Sequence, residues 1–181
     1  MTRRWIVTAL GKDRPGIVAG VTKVLYQLGC NLEDSAMTRL ESEFAIMLIF
    51  STGRRISPLR LRQAFLAIER RLQLVVHLKP LSSAETRAPR GAGNRHLISV
   101  YGGDRPGIVF RVAELLARHR INVTDVHTHR SRGAARSLYL MLLEVEIPPR
   151  LAVPAFERRL KGLGKRLGVQ VSLRASETEV L

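Results

Sequence analysis

Asp13-Arg14-Pro15-Gly16-Ile17-Val18 and Asp104-Arg105-Pro106-Gly107-Ile108-Val109 are one hexapeptide written twice, 91 residues apart. The same offset pairs Gly11 with Gly102, Leu25 with Leu116, Asn31 with Asn122, Asp34 with Asp125 and Arg39 with Arg130. A register held from Gly11 to Arg39 marks an internal repeat, and a repeat governs how the rest of a chain is read. Beyond Arg39 the register slips, because the second copy carries a longer turn at Ser131 to Ala135. The chain has four aspartates, Asp13, Asp34, Asp104 and Asp125, and all of them fall at paired positions. The eleven glutamates show no such pairing, which is the pattern of solvated surface charge. The aspartates therefore stand where a specific requirement, structural or functional, holds them.

Each hexapeptide sits between a predicted strand and a predicted helix. Residues 3–10 are apolar and β-branched enough for a strand. Ile17, Val21, Val24, Leu25 and Leu28 then form one helical stripe, ended by Gly29 as a left-handed cap. Residues 31–40 and 44–51 read as strands joined by a tight turn at Glu41 to Glu43. Ser57-Pro58 reads as an N-cap with proline in the first turn, followed by the stripe Leu61, Phe65, Ile68 and Leu72. Residues 73–79 close the unit as a strand. The second copy repeats the order: strand 96–101, helix 107–119, strands 121–130 and 136–146, helix 153–167 and strand 169–174.

The order β-α-β-β-α-β, with right-handed crossings, predicts a ferredoxin-like α+β domain, a four-stranded antiparallel sheet with both helices on one face. The other face is left open, to be covered within one chain or across a homodimer. Residues 1–80 form the first domain and 95–181 the second. Residues 81–94 read as a flexible linker, because 82–94 is rich in Ser, Ala, Pro and Gly and lacks large apolar side chains.

Composition limits the function classes. The 181 residues, 45% hydrophobic and 25% charged, are those of a globular chain, and two small domains gain from a twin to pack against. The longest apolar run, Phe44 to Phe50, is far short of a membrane span of roughly 20 residues. The N-terminal apolar stretch, broken at Gly11-Lys12-Asp13, is too short for a signal peptide. A single cysteine, Cys30, allows no internal disulfide and suits a reducing cytoplasm. The net charge of +15 raises nucleic acid as a partner. Yet residues 1–80 carry 13 basic and 6 acidic side chains, and residues 95–181 carry 15 and 8, so the excess is even. With no basic arm, no recognition helix and only 5% aromatics, the chain argues against direct nucleic-acid binding, which stays the alternative reading.

The repeated turn has its own chemistry. A helix start offers free backbone N–H groups and the positive end of the helix dipole to an anion. Pro15 and Pro106 preset φ for that start. Gly16 and Gly107 lack a side chain, so a ligand carboxylate can approach the backbone. Asp13 and Asp104 can cap the helix or accept from a ligand ammonium. Asn31 and Asn122, just past the helix end, can both donate and accept. Together these groups describe a site for an amino-acid zwitterion, and a purely structural role is the competing reading for each.

Gly11-Lys12-Asp13-Arg14-Pro15-Gly16-Ile17-Val18, followed by Gly29-Cys30-Asn31-Leu32-Glu33-Asp34-Ser35, resembles an ACT domain. Two such domains filling a chain of this length resemble the glycine cleavage system transcriptional repressor family. That resemblance implies a non-enzymatic regulator with no cofactor, one that senses glycine or another small amino acid and acts by binding a transcriptional activator. In ACT domains ligands sit between two domains, against the turn after the first strand and the start of the second. Carried over, this selects Asp13, Arg14, Gly16 and Asn31, with Asp104, Arg105, Gly107 and Asn122. The copies diverge where Gly29-Cys30 becomes Arg120-Ile121 and Ser35-Ala36 becomes Val126-His127, which puts the equivalence of the two sites in question.

Other constellations carry less. His127 and His129 share a strand face, but no nearby Cys or Glu completes a metal site, and an exposed or interfacial face is the expected reading. Cys30 aligns with Ile121 and reads as a small core residue. Gly102-Gly103 and Gly107 have the wrong spacing for a phosphate loop. Arg130, Arg132 and Arg136 frame the longer turn as a solvated basic loop, or as a contact for an acidic partner. No local motif marks a Ser or Cys nucleophile.

Overall fold

The structure, a computed structural model, describes residues 3–53, 56–82, 94–132 and 137–176. The chain divides into two compact units, the first ending at Ala88 and the second beginning at Pro89. Most of the expected linker, residues 83–93, lies outside the described residues, as do Arg136 and most of the longer turn of the second copy.

The first unit runs β1 (Arg3–Lys12), α1 (Ile17–Gln27), β2 (Cys30–Leu40), β3 (Glu43–Thr52), α2 (Pro58–Leu72) and β4 (Val75–Leu81). The second runs β5 (Asn94–Gly103), α3 (Ile108–Arg118), β6 (Asn122–Arg132), β7 (Ser137–Ile147), α4 (Val153–Leu167) and β8 (Val169–Ala175). Each forms a four-stranded sheet, in the order β2-β3-β1-β4 or β6-β7-β5-β8. All neighbouring strands are antiparallel. Both units are the expected βαββαβ fold.

Period-2 and period-3.6 patterns meet in one core per unit. Trp5, Val7 and Ala9 of β1 alternate inward with Ile46, Leu48 and Phe50 of β3. They meet Ile17, Val21 and Leu25 of α1 and Leu61, Phe65 and Ile68 of α2. In the second unit Ile98, Val100, Met141 and Leu143 meet Val112, Leu116, Phe156 and Leu160. Full burial of such a side chain stabilises by about 1.5–3 kcal/mol. Strand β2, at the sheet edge, is exposed throughout apart from half-buried Cys30.

Three local departures have clear causes. β4 starts at Val75, not at residue 73, because Gln73 is the left-handed C-cap of α2 (φ 54°) and Leu74 donates its N–H to the Glu69 carbonyl. Pro15 and Pro106 precede their helices instead of opening them, since Gly16 and Gly107 are the N-cap residues. Arg120 adopts φ 55° where the first copy has Gly29 at φ 66°, so the same left-handed exit from the helix is made without glycine.

Candidate ligand site at the repeated turn

Both turns have the same backbone. Gly16 has φ 93° and ψ −1°, and Gly107 has φ 91° and ψ −3°. Those angles suit the third position of a type II turn, with proline preset at the second. A Cβ at either glycine would meet no atom within 4 Å, so the conformation, not crowding, demands glycine there. Neither helix start has a side-chain cap, whereas α2 is capped by Ser57, which accepts from the Arg60 N–H at 3.2 Å. The backbone N–H groups of the first turn of α1 and α3 are therefore open to an acceptor from outside. Asp13, Arg14, Pro15, Gly16, Ala19 and Phe44 help to line a depression of about 500 Å³ at the first turn.

The aspartates of the turn do not cap the helix. Asp13 faces Arg39 at 3.6 Å, and Asp104 faces Arg130 at 3.2 Å. Arg39 and Arg130 are themselves a repeat-paired couple, so each copy preserves both halves of an ion pair between the turn and the edge strand. The backbone joins in: Asp13 N–H donates to the Ser42 carbonyl (2.7 Å) and Asp104 N–H to the Ser137 carbonyl (3.0 Å). The carboxylates remain partly exposed, at 35% and 29% of the side chain, with lone pairs left for a ligand ammonium.

The arginine side chains of the hexapeptide reach toward the second helix of their own domain, and Arg14 also lines the depression. Arg14 Nη2 donates to Gln73 Oε1 at 3.0 Å, at the C-terminal end of α2. The Arg105 guanidinium lies over Gly168, the C-cap of α4, where an added Cβ would come within 3.1 Å of Nη1. A cation at the negative end of a helix dipole is stabilising, so each arginine ties the turn to the second helix of its domain. The paired glycines before the turn serve the same junction. A Cβ at Gly11 would stand 2.8 Å from the Gln73 carbonyl oxygen, and one at Gly102 would stand 2.8 Å from Val169 Cγ1.

Asn31 and Asn122 are not brought to the turn of their own domain. Asn31 pairs with Ser51, which pairs with Arg4 near the start of β1, whereas Asp13 follows the end of β1. At about 3.3 Å per residue the two lie about 30 Å apart. Asn122 is placed likewise, opposite Glu146, which pairs with Arg95 at the start of β5. Within one copy the turn and the asparagine therefore stand apart: β1 and β2 run parallel, so the start of one is far from the end of the other.

Asp34 and Asp125 follow a register shift in the edge strand, between Leu32 and Asp34 and between Val123 and Asp125. Each accepts from the next backbone N–H, Ser35 or Val126, at 2.8 Å. Their pairing in the sequence reflects this bulge, where a ladder bond is lost and a side chain replaces it. His127 Nε2 lies 2.9 Å from Asp125 Oδ2 on an exposed strand. Among the described residues no group of three or more His, Cys, Asp or Glu could hold a metal, and no helix is long and apolar enough to cross a membrane.

Phe44 and Tyr139 were not singled out from sequence, because the aligned offset had slipped there. Strand register finds them: Phe44 lies opposite Gly11 and Tyr139 opposite Gly102. Burial, with the nearby Asp104 charge adding to it, pushes the Tyr139 phenol up, so it stays protonated beside the second turn. Phe110 replaces Ala19 at the 91-residue offset and is 60% exposed. The two turns thus share a backbone but present different walls.

Residues 3–79 and residues 96–160 each match the ACT domain family. ACT domains are regulatory modules, not catalytic ones. Over 171 residues the chain is 26% identical to the glycine cleavage system transcriptional repressor of Escherichia coli, covering 93% of this chain and 87% of that protein. A UPF0237 protein of Streptococcus mutans is 35% identical over 74 residues, 41% of this chain and 84% of its own length. A solved structure of an unknown protein from Galdieria sulphuraria superposes with a TM-score of 0.81 at 25% identity, over 97% of this chain and 99% of that one. The chain belongs to the ACT domain family as a tandem pair, related to the glycine cleavage system transcriptional repressor.

Proposed function

We propose that this chain is a cytoplasmic, non-enzymatic sensor that binds a small amino acid, glycine or a close relative, and regulates transcription through a protein partner. The observation that carries the reading is the uncapped helix start behind a left-handed glycine, built twice with a partly exposed carboxylate beside it. A ligand carboxylate would accept from the N–H groups of Ile17, Val18 and Ala19, or of Ile108, Val109 and Phe110. Its ammonium would lie against Asp13 or Asp104, sharing the carboxylate with Arg39 or Arg130. Gly16 and Gly107 keep the approach open, and Arg14 and Arg105 tie the turn to the second helix of the domain. Asn31 and Asn122 are no part of the turn site of their own domain. The near full-length similarity to the Escherichia coli repressor supports both glycine and transcriptional control.

A thermal-shift screen against the twenty amino acids tests this. A ligand at 100 times its Kd that binds only the folded chain stabilises by about 2.7 kcal/mol. The shift should vanish in the doubly substituted Asp13→Asn/Asp104→Asn chain. No shift with any amino acid up to millimolar concentration rejects the sensor. The net charge of +15 keeps nucleic acid as the second reading. Its test is a gel shift at low and high salt, and no binding at low salt removes it.

A further inference from the structure

The two domains differ where their helices meet. In the first, a Cβ built on Gly20 would collide with Ile68 Cδ1 and lie 3.3 Å from Leu72 Cδ1, so α1 and α2 close against one another. At the 91-residue offset the second domain has Arg111. There α3 and α4 flank a cleft of about 300 Å³. Leu115, Leu163 and Leu167 line it, and all three pack on the core beneath. Arginines stand on both walls, Arg111 and Arg118 from α3 and Arg166 from α4, with exposed side chains. Glu114 is shared between Arg111 (3.5 Å) and Arg118 (2.8 Å). Arg166 has no ion-pair partner among the described residues. The cleft is thus apolar at its base and net cationic along both rims.

We propose that this cleft docks an acidic amphipathic helix of a protein partner. Leucine-like side chains at i, i+3, i+4 and i+7 would enter between α3 and α4, and flanking carboxylates would meet the arginines of both walls. The charges set orientation and encounter rate, and burial against the leucines adds to the affinity. A nucleic acid would use the arginines but leave the leucines idle, and no aromatic residue lines the cleft to stack a base. The proposal deepens the regulatory reading and rests on it for the existence of a protein partner.

The test uses the full chain and a labelled synthetic helix with leucines at i, i+3, i+4 and i+7 and glutamates on its flanks, followed by fluorescence anisotropy. Two control peptides carry lysine for glutamate or serine for leucine. The acidic helix should bind saturably, and both controls at least tenfold more weakly, about 1.4 kcal/mol. Arg111→Glu/Arg166→Glu should lower affinity by at least tenfold with an unchanged circular dichroism spectrum. Should that variant misfold, Arg166→Ala, which leaves the Glu114 pairs intact, must still weaken binding. Absence of binding, equal binding of the serine peptide, insensitivity to the arginine substitutions, or displacement by a single-stranded oligonucleotide that binds more tightly each overturns it. Failure of the amino-acid screen with success here removes the sensor and keeps the cleft; the converse keeps the sensor and removes the cleft.

Discussion

Replacing Gly16 by alanine isolates the energy of one backbone conformation. The residue has φ 93° and ψ −1°, and an added Cβ meets nothing within 4 Å, so neither packing nor a lost contact enters. Holding an L-residue in a left-handed conformation costs roughly 1–2 kcal/mol. Alanine also stiffens the unfolded chain, which returns about 0.4–1 kcal/mol. The net expectation is a loss of about 1 kcal/mol. With a urea slope of about 1 kcal/mol/M for so small a domain, the midpoint falls by about 1 M. The assay is built into the chain: Trp5 is the sole tryptophan, 3% exposed in the core of the first domain, so its fluorescence follows that domain. Gly107→Ala, at φ 91°, should lower the second domain by a similar amount, read by circular dichroism. A midpoint for Gly16→Ala that stays put or rises would refute the reasoning, because only a right-handed or extended residue gains from the substitution.

Gly162→Ala should act in the opposite direction. It lies inside α4, and its Cβ would meet only Arg166 Nη1 at 3.9 Å, so helix propensity alone should raise stability by about 0.8–1 kcal/mol in a calorimetric scan. Asp13→Asn removes an ion pair whose side chains are 35% and 69% exposed, and should change the Trp5 unfolding midpoint by no more than about 0.5 kcal/mol while abolishing any amino-acid-induced shift at the first turn. Phe65→Ala, at a fully buried position, should cost about 3–5 kcal/mol and flatten the Trp5 transition. Burial raises the Cys30 thiol above its ordinary value, so the folded chain holds that proton to higher pH than the unfolded one. The neutral thiol's contribution is whole below the unfolded pKa and is lost as pH rises through the folded one. Alkylation by iodoacetamide at mildly alkaline pH should accordingly be slower for the folded chain than in urea, and equal rates would contradict the burial.

Local patterns were legible without coordinates. The repeat, the order of elements, the helical stripes such as Ile17, Val21 and Leu25, and the glycine-dependent turn follow from spacing along one stretch of chain, because periodicity and φ preference are properties of neighbours in sequence. The 91-residue pairing even marked Arg39 and Arg130 without revealing their partners. Those partners lie across the turn and edge strand, and only strand register places Asp13 beside Arg39. Register also separates Asn31 from the turn, since α1 carries the chain back along the sheet before β2 begins. The walls of the two turns were settled in the same way, by Phe44 and Tyr139 on a neighbouring strand. So was the cleft of the second domain: Gly20 and Arg111 are single letters in a helix until Ile68 or Leu163 packs opposite them. Sequence by itself determined what each segment becomes; the tertiary structure decided which segments face one another, because that depends on volumes and charges brought together from distant parts of the chain.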